Sequence, residues 1–100
     1  MRYKRNAVFL ILAAILVSCV SALYMPTQND AVSRNTSLEK LQQGRSLYIN
    51  KCASCHNLHL PSSYTGTEWA ALLNKMQKRA KIDNAQKEQI AAYLETNSKK

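Results

Sequence analysis

Histidine is scarce in this chain of 100 residues, which holds only His56 and His59. Chemistry that needs an imidazole is therefore confined to one short stretch. Cysteine is nearly as scarce: Cys19, Cys52 and Cys55 are an odd number, so internal disulfides cannot use them all. Acidic residues number six against fourteen basic ones, a formal charge of +8. No internal repeat is visible, and the length allows one small domain at most.

One segment lacks charge altogether. After the basic start "MRYKR", the run "AVFLILAAILV" from Ala7 to Val17 is apolar, and small residues follow in "SCVSA". That is the layout of an export signal. A buried helix of a soluble domain would show a polar stripe, and this run shows none. Three outcomes are open. "LVSC", Leu16 to Cys19, resembles the bacterial lipobox, in which a peptidase cuts before the cysteine and the thiol takes a lipid. Cleavage after Ala22 in "VSA" would instead release the protein outside the cytoplasm. Alternatively, the uncharged stretch from Ala7 to Met25 stays as a membrane helix, being near the length that crosses a bilayer, with "MRYKR" inside. The leading expectation divides the chain into a signal or anchor over 1–19, a flexible tether over 20–36 and a folded domain over 37–97. About sixty residues is near the size at which a hydrophobic core alone is marginal, so a staple or cofactor is expected.

With Cys19 assigned to the membrane, Cys52 and Cys55 remain, followed at once by His56 in "CASCH". C-x-x-C-H is the attachment pattern of c-type haem. Two intervening residues let both thiols reach neighbouring vinyl groups, and the next residue supplies the proximal iron nitrogen. Three rival readings explain less. A disulfide between Cys52 and Cys55 would close a tiny loop and leave His56 idle. A thioredoxin-like dithiol needs a βαβ setting, whereas the downstream periodicity is helical. A zinc site from Cys52, Cys55, His56 and His59 lacks the longer loop that usually separates two ligand pairs.

The flanks read as helices. "TSLE", Thr36 to Glu39, has the form of a capping box ahead of Leu38, Leu41, Leu47 and Tyr48. Gly44 inside that helix costs about 1 kcal/mol against alanine, which implies a packing reason. A second helix starts at "TGTE" with Thr65 or Thr67 as cap, and Trp69, Leu72, Leu73, Met76 and Ala80 share one face. A third opens at "DNAQ", Asp83 to Gln86, and carries Ile90, Ala91, Tyr93 and Leu94. The intervening "NLHLPSSYTG" has the composition of a loop.

With these residues in place, the stretch Leu41 to Glu95 resembles the small class I type monohaem cytochromes c. The resemblance rests on Gly44, Tyr48 and Cys52 at intervals of four, and on "IAAYL", Ile90 to Leu94. It implies an all-α fold of three to four helices around one covalent haem c with its iron. In such proteins the first and last helices cross at the glycine, so Gly44 and Tyr48 should pack on Ile90, Tyr93 and Leu94. Similarity to a subgroup with a "W...M" helix implies that Trp69 lines the cofactor and that Met76 is the distal iron ligand. Met76 also suits an ordinary core position. Pro61, in "HLP", resembles the family proline near the hydrogen bond that orients the proximal imidazole. His59, three residues after His56, starts on the proximal side and is expected to be exposed or bonded within the loop.

The expected function is electron carriage without catalysis: a membrane-tethered cytochrome passing one electron between redox partners outside the cytoplasm. A five-coordinate haem protein that binds a gas or peroxide is the alternative; against it, no distal acid or base is evident. A haem-bearing subunit of a larger oxidoreductase is a third reading. Removing Arg2, Lys4 and Arg5 with the signal leaves eleven basic residues against six acidic ones, a formal +5 before the propionates. Lys75, Lys78, Arg79 and Lys81 could steer acidic redox partners, or simply complement a helix C-terminus. Nucleic acid is not an expected partner.

Overall fold

A computed structural model of the chain describes residues 23–52 and 58–100. Among the described residues four α-helices follow in order, α1 over Gln28–Ser33, α2 over Leu38–Lys51, α3 over Gly66–Ala80 and α4 over Asn84–Glu95, with a 3-10 turn at Pro61–Ser63. The described residues contain no strand, only an isolated bridge between Thr65 and Lys99. The fold is thus all-α, as the periodicity implied.

The helix starts follow from side chains that satisfy the first free N–H groups. At α3 the Thr65 hydroxyl accepts from the Glu68 N–H at 3.1 Å, and the Glu68 carboxylate accepts from the Thr65 N–H at 3.0 Å. Asp83 and Gln86 make the same reciprocal pair at α4, at 2.7 and 3.0 Å. The box expected from Thr36 and Glu39 does not form. The Thr36 N–H is already donated to the Ala31 carbonyl at 3.0 Å, closing the end of α1. The start of α2 therefore slips by one residue. Ser37 is its cap, accepting from the Lys40 N–H at 3.2 Å, and Lys40 cannot return an acceptor.

At the other end of α3, Lys81 takes a left-handed conformation with φ 56°. The Ile82 N–H then reaches the Gln77 carbonyl and the Lys81 N–H the Lys78 carbonyl, both at 3.3 Å. These two bonds form a Schellman ending, with buried Ile82 as its hydrophobic contact.

The core lies where α2 crosses α4. Leu41, Ile90, Tyr93 and Leu94 are fully buried there, and Tyr48 nearly so. Gly44 permits the crossing. A Cβ placed on it would collide with the Gln89 carbonyl oxygen, and would lie 2.9 Å from the Gln89 carbonyl carbon and 3.1 Å from Tyr93 Cβ. Two of those neighbours are backbone, which no rotamer change can move aside. The inferred contact of Gly44 and Tyr48 with the last helix is thus present, with the rings of Tyr48 and Tyr93 at 6.2 Å.

The stretch expected to be a flexible tether, 20–36, is from residue 23 onward part of the fold. Leu23 and Ala31 are buried. The Tyr24 carbonyl accepts from the Tyr93 hydroxyl at 2.7 Å and from Arg45 Nε at 3.2 Å. Arg34 pairs with the Glu95 carboxylate at 2.9 Å and donates to its carbonyl at 2.6 Å. Weak periodicity hid this segment because its attachment uses backbone carbonyls and scattered anchors rather than an apolar stripe. The apolar run Ala7 to Val17 and Cys19 lie outside the described residues, among which no helix is long and apolar enough to cross a membrane.

Two substitutions test the packing. Gly44→Ala should lower stability by about 1–2 kcal/mol, because overpacking at a backbone contact exceeds the gain in helix propensity. A raised guanidinium unfolding midpoint would mean the helices do not meet there. Lys81→Gly should raise stability by about 1 kcal/mol by removing the left-handed penalty, read as an upward shift in Tm.

Candidate functional site

The end of α2, the loop after it and the inner face of α3 enclose a cavity of about 460 Å³. Its aromatic and apolar wall includes Tyr48, Tyr64, Trp69, Leu72 and Leu73, with Cys52 and Met76 also on the lining. That size and character suit a prosthetic group.

Hydrogen bonds place the aromatic rings. Trp69, nearly buried on the first turns of α3, donates its indole N–H to the Pro61 carbonyl at 2.8 Å. Tyr48, one turn before Cys52, donates its hydroxyl to the His59 carbonyl at 2.6 Å. Two side chains from two helices thus hold the loop that follows the C-x-x-C-H motif. Trp69 meets Tyr48 edge-on at 5.9 Å and Tyr64 edge-on at 5.0 Å. Edge-to-face rings of this kind add to the area they bury. Burial holds the Tyr48 hydroxyl well above its ordinary pKa, and burial likewise raises that of Tyr93. Both therefore remain neutral donors at physiological pH.

Cys52 caps the C-terminus of α2, its N–H donating to the Tyr48 carbonyl at 3.1 Å. Its half-buried thiol lines the cavity and is pushed up in pKa by that burial. Cys55 and His56 lie outside the described residues, between Cys52 and Leu58. Met76 lies two turns beyond Trp69 on α3 and remains 42 % exposed on the cavity lining. It is not the packed core methionine that its spacing also allowed.

Pro61 and His59 have definite partners. Pro61 is buried outside the cavity lining, and its carbonyl is engaged by the Trp69 indole. His59 is exposed, its ring edge-on to Tyr64 at 5.4 Å. Tyr64 and Lys51 are lining residues that sequence reasoning did not single out, and Arg79, read from the sequence only as part of a partner-steering cluster, also lines the cavity. Tyr64 sat in a stretch with loop composition, and its place beside the Thr65 cap was the one available signal. Lys51 and Arg79 became neighbours of one cavity only when α2 and α3 were brought together.

The lining fits a haem. It offers apolar and aromatic surface for the macrocycle, a thiol for attachment, a thioether, and two cations with no carboxylate among the lining residues. A family model for dihaem cytochrome c matches residues 48–100, and this chain belongs to that family. No curated protein and no solved structure matches the chain significantly. The chain is thus a c-type cytochrome with haem c and iron as its cofactor.

Removing the two loop-holding hydrogen bonds should have unequal effects. Trp69→Phe strands the buried Pro61 carbonyl and should cost about 2–3 kcal/mol in denaturant unfolding. Tyr48→Phe leaves the carbonyl of exposed His59 to water and should cost about 1 kcal/mol. Equal losses would mean that the Pro61 bond is not a buried one.

Proposed function

We propose that this chain is an exported, membrane-held electron carrier with one haem, attached through Cys52 and Cys55 and ligated by His56 and Met76. The family name counts two haems. These hundred residues contain a single C-x-x-C-H, so a second attached haem would need a motif that they lack.

The observation that carries the reading is the cavity wall, which brings the first cysteine of the motif and the Met76 thioether to one apolar chamber. When bound, the haem supplies an iron that gains and loses one electron, and a methionine ligand favours its reduced state. Tyr48, Trp69, Leu72 and Leu73 give the chamber an apolar wall. The loop bonds of Tyr48 and Trp69 hold the peptide just beyond His56 in one position. The Met76 thioether and the apolar side chains of Trp69, Leu72 and Leu73 on the same lining support electron carriage.

The charges support a partner class. Lys75, Lys78, Arg79 and Lys81 are exposed on the second half of α3 and just beyond it, on the helix that carries Met76. An acidic redox partner, free or within a larger oxidoreductase, would be steered toward that side. The basic start, the apolar run and "LVSC" support export with a lipid on Cys19.

The test is optical. The haem-loaded protein should contain one haem per chain and be low-spin in both oxidation states, with a weak ferric sulfur-to-iron band. Met76→Leu should abolish that band and admit carbon monoxide. A high-spin wild type that binds carbon monoxide readily would remove Met76 as ligand and favour gas or peroxide binding.

A further inference from the structure

We infer that residues 23–36 form a rigid strap that seats the haem domain on the lipid surface through Met25 and Val32. The inference rests on the export and membrane reading given above and adds to it a fixed orientation. Membrane attachment alone predicts a loose domain if 20–36 is a tether: seventeen flexible residues would have a root-mean-square reach of about 23 Å. The strap removes most of that freedom.

Its attachment is distributed along its length. Leu23 is buried, the Tyr24 carbonyl takes hydrogen bonds from α4 and α2, Pro26 and Ala31 are buried, and Arg34 grips Glu95 at the end of α4. The Tyr24 hydroxyl donates to Asp30 at 2.8 Å, and the Thr27–Asp30 capping box fixes the start of α1. The strap is therefore continuous with the two helices that form the core crossing.

Cys19 lies four residues before Leu23, and four extended residues span at most about 14 Å. A lipid on Cys19, or a membrane helix over the same region, would thus hold the strap close to the headgroups. Two large apolar side chains of the strap point away from the core: Met25 is 54 % exposed and Val32 71 % exposed. In water that apolar surface stays exposed; at a bilayer interface each side chain can bury it. The short link limits the height of the domain, and the two apolar contacts restrict its tilt. A redox partner would then have to meet the haem from within the same membrane or along its surface.

The experiment uses the full haem-loaded chain bound to phosphatidylcholine bilayers. Vesicle sedimentation reports attachment, and ferric electron paramagnetic resonance on oriented multilayers reports haem tilt. The wild type should sediment and give signals whose amplitude changes several-fold as the sample is rotated. Met25→Ser/Val32→Ser should sediment equally but lose most of that angular dependence; both positions are exposed, so the fold should be retained. Wild-type protein that sediments but shows no angular dependence would overturn the orientation while leaving the membrane reading intact. Angular dependence unchanged in the double variant would overturn Met25 and Val32 as the lipid contacts. Failure of the wild type to sediment would overturn the membrane reading itself, and the inference with it.

Discussion

At Gly44 the backbones of α2 and α4 approach so closely that no side chain fits between them, and the rest of the domain is arranged around that contact. The crossing buries Leu41, Ile90, Tyr93 and Leu94. It also determines where the end of α2 points. One turn beyond Gly44 is Tyr48, and one turn beyond that is Cys52, so the helix that makes the crossing also carries the first cysteine of the C-x-x-C-H motif to the cavity. Packing and the position of that cysteine are therefore mechanically linked through one helix.

The second layer of organisation is aromatic. Tyr48 faces Tyr93 on one side and Trp69 on the other, joining the crossing to α3. Its hydroxyl and the Trp69 indole both end on loop carbonyls. A buried polar tip on a large ring needs a partner, and here the partners belong to the segment that follows the haem motif. Tyr64 and Leu73 extend the same surface along the chamber wall, and Met76 stands half-exposed on its lining.

Beyond the core crossing, the strap changes the character of the protein. The expected tether contributes Leu23 and Ala31 to buried surface and ties Tyr24 and Arg34 to the far helices. A segment docked on the helices and a free linker differ in how far they let the domain move. The difference depends on a few backbone carbonyls and one arginine, none of which forms a pattern along the chain.

The chain's sequence determined the local and covalent features. Capping residues at Thr65 and Asp83, the apolar faces of three helices and the C-x-x-C-H spacing depend on neighbours within a few positions, so they are legible without a fold. The glycine at position 44 could be read as a close approach because helical interiors penalise glycine unless packing requires it. Tertiary structure alone decided the features that join distant residues. The shift of the α2 cap to Ser37 arises because Ala31 has taken the Thr36 N–H. The engagement of the Pro61 carbonyl by Trp69 and the gathering of Lys51, Tyr64 and Arg79 around one cavity likewise required the helices to be assembled. So did the docking of the strap on Tyr93, Arg45 and Glu95, because a hydrogen bond between positions 24 and 93 has no counterpart in the periodicity of either segment.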